Sequence, residues 1–344
     1  MITGYSIKVS SGKPSDRKRW DQIATENAQF WASTCFDQIQ DIYHKTPYYF
    51  EMFIDNTTMG GIKVYVSNYK RLKYISNRIF REAFIQGEII LDKKFSIDHL
   101  QVKKIFESFL IYWFRKQNIV SVKVSPFNGN NELMPVFGKI QLEKRFNLLH
   151  INLNQPMDEI FDKFHPKHRN LIRKAEKTGI RITEDYKPEM FYEQLLKQTY
   201  SGQEHKPTDK RFILAFCESA KNYGYLKMYF AWHNDTLLSG ALVLVFGDYG
   251  DYSFGGNVKN NLGAGILLQW HIMKDLKIRG VATYSLGQTA DGYDTENEKF
   301  SVGISKFKRR FGGKELPVWS GCFVFKPILK AMKEGLLKVF LNPK

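Results

Sequence analysis

Cysteine is scarce in this 344-residue chain: Cys35, Cys217 and Cys322 lie far apart, with no C-x-x-C pair. An odd, dispersed set argues against a disulfide framework or a cysteine-built zinc site and points to a reducing, cytoplasmic setting. Histidine is no better organised. The eight histidines make no H-E-x-x-H and no i,i+4 pair, and His165 and His168 sit in a basic stretch that repels a cation, so no metal is expected. Long apolar runs are missing too. The longest, Leu237 to Phe246, is interrupted by Ser239 and Gly240; it is about half a membrane span and reads as a buried strand. The N-terminal stretch MITGYSIKVSSGKPSDRKRW has no apolar core and is not read as a secretory leader. There is no G-x-S-x-G elbow, no G-x-x-x-x-G-K-[ST] loop and no G-x-G-x-x-G after a strand. These absences remove support for an α/β-hydrolase, a P-loop enzyme or a nicotinamide dehydrogenase, and zinc-finger or RNP-type nucleic-acid signatures are also missing.

What the chain has in excess is positive charge. Fifty-one Lys and Arg against 35 Asp and Glu leave +16. Such a field attracts polyanions such as tRNA, nucleotide diphosphates, phospholipid headgroups or CoA, although it also serves solubility. The hydrophobic share of 43% and charged share of 25% are those of an ordinary globular protein, and the length suits two domains.

Two passages repeat loosely. Tyr48–Ile54 and Met59–Val66 flank the turn Asp55-Asn56-Thr57-Thr58, and Leu226–His233 and Thr236–Phe246 flank Asn234-Asp235. Each second strand opens on a small pair, Gly60-Gly61 or Ser239-Gly240. Each hairpin precedes an amphipathic helix and a further strand: Ile97–Gln117 then Val120–Val124, and Ala264–Arg279 then Val281–Leu286. The repetition predicts two copies of one α+β unit. The expected division is 1–150, 151–325 and a C-terminal helix over 326–344. That helix carries an apolar stripe (Ile328, Met332, Leu336, Val339, Phe340) with lysines opposite, expected to pack on its own protein, with contact to an anionic membrane as the alternative.

Three segments carry candidate chemistry. Between the repeats, Ile160–Ile182 reads as helices with Pro166 starting the second and Gly179 ending it; seven Lys or Arg from Lys163 to Arg181 stand against Asp162 and Glu176. This is a solvated face or a phosphate-facing surface. Next, Tyr252–Leu268 runs from an aromatic strand ending at Gly255-Gly256, through a polar loop, into a helix at Gly263-Ala264-Gly265. A strand, glycine turn and helix N-terminus make an anion site, and Asn260-x-x-Gly263-x-Gly265 comes close to the pyrophosphate loop of GNAT acyltransferases. Close helix packing is the other reading. Gly255-Gly256 also suit a bulge whose amides polarise a carbonyl under attack. Finally, Ser285–Gly313 joins a strand ending at Gly287, an acidic loop with Asp291, and a basic helix with Lys306, Lys308, Arg309 and Arg310.

Together these residues resemble the Fem/FemX peptidoglycan aminoacyltransferases and the related FemAB-like acetyltransferase-domain proteins. Four passages carry it: RNLIRKAEKTGIRI (Arg169–Ile182), GAGILLQW (Gly263–Trp270), YSLGQT (Tyr284–Thr289), and Phe307-Lys308 with Phe311-Gly312-Gly313. The resemblance spans roughly residues 45 to 325 and is more specific in its second half. It implies an α+β (mixed α/β) fold of two tandem GNAT-like domains with central mixed sheets, the C-terminal segment returning to the first. It implies transfer of an amino acid from aminoacyl-tRNA to an amine of a peptidoglycan precursor. Lys308 matches the lysine of the family's F-K motif, which handles the aminoacyl end, and Arg169 and Arg173 match basic positions associated with precursor phosphates. Two departures stand out: Ser285 replaces the usual Asp before the glycine, and Gln288 stands where Arg is common.

The expectation is therefore a cytoplasmic acyl- or aminoacyltransferase, with peripheral contact at the inner face of the membrane as an option, without a resident cofactor. The donor is aminoacyl-tRNA and the acceptor an anionic nucleotide- or lipid-linked precursor. The expected roles are the Gly255 and Gly256 amides on the carbonyl, Lys308 on the donor, Phe307 in substrate binding, and Arg169, Arg173 and Lys174 on acceptor phosphates. Asp291 is set on the amine, Tyr252 on the leaving group, and Asn260, Gly263, Gly265 and Gln288 line the substrate site. Two alternatives stay open: an acyl-CoA- or acyl-carrier-dependent N-acyltransferase acting on a nucleotide sugar or lipid-linked glycan, and a non-catalytic polyanion-binding pair.

Overall fold

The computed structural model describes residues 4–67, 80–95, 98–125, 137, 142–200, 207–289 and 298–333. It divides into two compact units, Met1–Arg145 with Val318–Lys344, and Phe146–Pro317. The first contains β1 (Tyr5–Ser11), α1 (Arg17–Glu26), α2 (Asp37–Ile42), β2 (Lys45–Ile54), β3 (Thr57–Ser67), β4 (Arg81–Gln86), β5 (Ile90–Leu91), α3 (His99–Lys116) and β6 (Ile119–Ser125). The second unit begins within β7 (Leu142–Asn152). It continues with α4 (Met157–Asp162), α5 (Pro166–Lys177), β8 (Arg181–Glu184), α6 (Lys210–Asn222), β9 (Leu226–His233), β10 (Thr236–Phe246) and β11 (Tyr249–Asn257). Then come α7 (Ala264–Ile278), β12 (Thr283–Thr289), α8 (Glu298–Arg309) and β13 (Lys314–Val324). Residues Gly321–Val324 of β13 pair antiparallel with β6 in the first unit.

Local chemistry explains the main elements. Asp98 caps α3 by accepting from the N–H groups of Leu100 and Gln101, and Arg115 and Lys116 complement the dipole at its other end. The buried stripe Val102, Phe106, Leu110, Phe114 packs with Phe50, Val64, Ile85 and Val122 of the sheet. In the second unit Pro166 occupies the first turn of α5, and Gly179 takes φ +79° just past its end.

The two hairpins share a detail that periodicity alone does not reveal. In β2–β3, Asp55 and Asn56 both have positive φ, the geometry of a tight hairpin turn. The register then slips at Met59, between the pairs Phe53–Thr58 and Met52–Gly60. In β9–β10 it slips at Leu238, between Trp232–Leu237 and Ala231–Ser239. Each bulge therefore falls three residues beyond the turn, immediately before the small pair. The small residues admit a neighbour: a Cβ on Gly61 would meet the Phe50 carbonyl and come within 2.7 Å of the Trp20 ring, and one on Gly240 would lie 2.6 Å from Leu195.

The units differ in their parallel pairs. After a slip at Val120, β4 and β6 stay paired from Glu82–Ser121 to Gln86–Ser125, and the Gly87 N–H then donates to the Ser125 carbonyl. β11 and β12 pair only from Tyr249–Thr283 to Asp251–Ser285, although both strands run on. Around this sheet, α5, α7 and α8 gather an aromatic cluster. Phe164 meets Trp270 and Phe311 edge-on, and the His168 ring lies 4.6 Å from Phe311 and 5.5 Å from Phe307.

Of the expected C-terminal helix, residues 334–344 lie outside the described residues. Residues 327–333 are helical, Lys333 pairs with Glu82 of the first unit, and Ile328 and Met332 are exposed. Among the described residues no helix is long and apolar enough to cross a membrane.

Two stability predictions follow from this packing. Gly61→Ala should cost about 1–3 kcal/mol in urea denaturation, because backbone and an indole occupy the needed space. Burial holds the His168 pKa at about 4, with Arg310, His165 and Lys167 acting in the same sense. The unfolded chain therefore takes up a proton that the native chain refuses between the ordinary value of 6.5 and about 4, and stability falls as pH drops through that window. His150, also held at about 4 by burial, adds to the loss. His168→Phe should weaken this acid limb, read as a smaller change in urea midpoint between pH 7 and 4.5.

Candidate active site at the parting of two strands

Beyond Asp251–Ser285 the edge of β11 that faced β12 has lost its ladder, so its outward backbone groups are available to other partners. The Asn257 N–H donates away from β10, to Thr199 Oγ1 at 2.9 Å. Strand alternation puts the Gly255 N–H on that same edge, as a carbonyl-polarising amide requires. The bulge in β10–β11, however, sits at Ser253 and not at the glycines; Gly255 and Gly256 are in register with Ala241 and Gly240. The glycines have a spatial role instead. The Tyr252 hydroxyl lies where a Cβ of residue 255 would be, and a Cβ on Gly256 would approach that of Leu195 to 2.6 Å.

Tyr252 is half-buried, and its hydroxyl meets Gln269 of α7, which also accepts from the Tyr284 hydroxyl at 2.7 Å. Burial raises both phenols above their ordinary range, so each keeps its proton at neutral pH. Gln269 is itself buried within the apolar face of α7, and an amide there needs such partners.

Lys308 reaches the same place from α8. Its side chain is buried, and Nζ donates to the Gln288 carbonyl at 2.8 Å. The register of β12 against β7 slips between Ser285 and Gln288, and Gly287 takes φ +77° there. A Cβ on Gly287 would lie 3.3 Å from Lys308 Nζ and 3.4 Å from the Tyr252 carbonyl, so the missing side chain leaves room for the ammonium. Burial lowers the lysine pKa to about 8, against the opposing attraction of Asp251. Both protonation states are therefore accessible near neutral pH, which suits a proton-handling group.

The other expected residues are placed as follows. The Gln288 side chain is exposed while its carbonyl holds Lys308. The Phe307 ring, expected in substrate binding, packs against His168 and Phe311, because consecutive helical residues point in different directions. Asn260 spends its side chain on its own loop, donating to the Val258 carbonyl and accepting from the Leu262 N–H. Gly263, at φ +82°, lies against the α5 backbone, where a Cβ would be 3.0 Å from the Leu171 carbonyl. A Cβ on Gly265 would lie 2.5 Å from Asn257 Oδ1, which accepts from Ser239 Oγ at 2.6 Å. The glycines of this loop thus allow close packing against α5 and Asn257. On α5, Arg169 donates to the Asp162 carbonyl, Arg173 stacks over Phe161 at 5.5 Å, and Lys174 lies 3.4 Å from the Asn261 carbonyl. Asp291 lies outside the described residues. Cys217, a nominal nucleophile, is buried with its thiol pushed up to about 12 and stays protonated.

Sequence reasoning missed the floor of this gap. Asp251 is linked to Ser253 Oγ at 2.8 Å and to Ser285, and Tyr249 shares a 3.0 Å hydrogen bond with His150 Nε2. The available signal was an acid inside an otherwise aromatic strand, which has to find partners once buried.

Residues 162–295 match the family model described as an acetyltransferase (GNAT) domain. No curated protein matches the chain. Among solved structures, FemX aligns with TM-score 0.72 at 12% identity, covering 94% of this chain and 99% of that one. The L-PGS of Bacillus licheniformis aligns at 0.57 and 10%, covering 94% and 98%. A tandem GNAT protein from the clavulanic acid biosynthesis pathway, solved without AcCoA, aligns at 0.51 and 8%, covering 93% and 98%. At such identities the likeness is one of fold, and the chain has the tandem GNAT architecture, with the acetyltransferase-domain match lying on its second unit.

Proposed function

We propose that the chain is an amide-forming acyltransferase that moves an aminoacyl group from aminoacyl-tRNA to an amine of an anionic, peptidoglycan-type envelope precursor. The observation that carries the reading is the delivery of the buried Lys308 ammonium to the gap between β11 and β12. In such a reaction the amine nitrogen attacks the ester carbonyl, the carbonyl oxygen gathers charge, and the departing hydroxyl oxygen needs a proton. The Gly255 N–H faces the side on which that charge would develop, and Lys308 supplies the proton. Arg173 and Lys174, exposed on α5, offer positive charge to the acceptor phosphates. A net charge of +16 suits two polyanionic reactants.

The close approach of the Leu171 carbonyl to Gly263 leaves little room beside that glycine for a CoA pyrophosphate, which supports the choice of donor. The AcCoA named with the clavulanic-pathway structure keeps an acyl-CoA donor as the second reading.

Lys308→Ala should lower transfer from radiolabelled aminoacyl-tRNA to a nucleotide-linked muropeptide by about 100-fold or more. Full activity in that variant would remove the assignment. If Lys308 acts as the proton donor, kcat/KM should fall as pH rises through about 8, because the ammonium is then lost. Calorimetric titration with CoA should show no binding; low-micromolar affinity would move the reading to the acyl-CoA donor, and binding of tRNA without transfer to any amine would leave only a polyanion-binding role.

A further inference from the structure

The polar group at the floor of the gap is not used by the reaction as described. Asp251 occupies the last paired position of β11, opposite Ser285 on β12, where the two strands part. Its carboxylate accepts from Ser253 Oγ at 2.8 Å and is hydrogen-bonded to Ser285. Ser285 Oγ in turn accepts from the Gly287 N–H at 3.1 Å, bracing the bulge that makes room for Lys308. The Lys308 ammonium and the Tyr252 carbonyl, one residue beyond Asp251, converge on the open side of Gly287. A chain of contacts thus runs from carboxylate through hydroxyl and bulge to ammonium.

We propose that Asp251 is a positioning residue that acts as the counter-ion of Lys308 and so governs when that side chain carries its proton. The inference deepens the transfer reading and rests on it for its catalytic meaning. In the step it serves, a C–N bond forms and the ester C–O bond breaks. The Lys308 ammonium gives a proton to the departing oxygen, and the resulting amine takes one from the attacking nitrogen, so the lysine ends as it began. Burial pushes the Asp251 carboxyl up, while Ser253, Ser285 and the Lys308 charge favour its ionised form; a buried ammonium that feels this anion is held ready for the exchange, whereas without it burial would favour the neutral amine.

Other titratable groups around the pair do not substitute for Asp251. Tyr249 on its own strand and Tyr284 on β12 feel its charge and keep their protons, and His150 on β7, beyond Tyr249, is neutral above about pH 4. Arg309, next to Lys308 on α8, pairs with Glu315. Lys308 and Asp251 are therefore the pair whose charges answer one another.

The test follows the Lys308 Cε–Hε signal by heteronuclear NMR against pH in the substrate-free protein, the signal being assigned with Lys308→Arg. In Asp251→Asn the midpoint should move down from about 8 by at least half a unit. The exchange variant Asp251→Ser with Ser285→Asp, which moves the acid across the strand pair, should restore much of it and guards against misfolding of the single variant. An unshifted midpoint in folded Asp251→Asn, or an exchange variant that titrates no higher than the single variant, overturns the proposal. Because no substrate is present, the result stands apart from the transfer assay. A positive titration with no transfer activity would keep the ion pair and sink the enzyme reading, and the reverse outcome would do the opposite.

Discussion

The early end of the ladder between β11 and β12 is the constraint from which the rest of the second unit follows. Two parallel strands that share only their first residues leave backbone donors and acceptors unpaired in the middle of a sheet, which is costly unless other groups satisfy them. Here the Thr199 hydroxyl answers one amide, the Lys308 ammonium answers the Gln288 carbonyl, and the bulge at Gly287 sets the direction of the strand that leaves. The first unit carries the same hairpin with the same bulge, yet its parallel strands stay joined to Gln86–Ser125. One design has thus been kept closed in one copy and opened in the other.

Opening the sheet creates a place where electrostatics are weakly screened. An ammonium placed there loses hydration, which is why the lysine sits well below its ordinary range while exposed lysines on α5 can only offer diffuse attraction. In the proposed reaction the two kinds of positive charge would do different work: the surface would gather anionic reactants over distance, and the buried one would act at bond length.

Much of this was legible from the amino-acid order. The hairpins were readable because turn residues and small pairs recur at equal spacing, and the start of α5 because Pro166 suits a first turn. Lys308 was readable from the F-K pattern, but that pattern does not say that its two side chains diverge, Phe307 into the aromatic cluster and Lys308 into the gap. The Gly263-x-Gly265 spacing fits both a phosphate cradle and a close helix crossing, and the close approach of Leu171 and Asn257 to these glycines could not be read from it. Asp251 escaped notice because strand register is a long-range property: Ser285 looked like the loss of an acid until the sheet set a carboxylate directly across from it.

The discontinuity of the first unit has its own consequence. Residues 1–145 include most of its sheet, but the strand that lies beside β6 comes from beyond residue 318, after the whole second unit. During synthesis the apolar edge of β6 must therefore wait, uncovered, for roughly 190 further residues, about ten to forty seconds at ordinary elongation rates. The second unit, continuous in sequence, has no such delay. A nascent chain of this kind spends its early life with an open flank, and it would gain from a chaperone that shields strand edges until the carboxyl-terminal segment emerges.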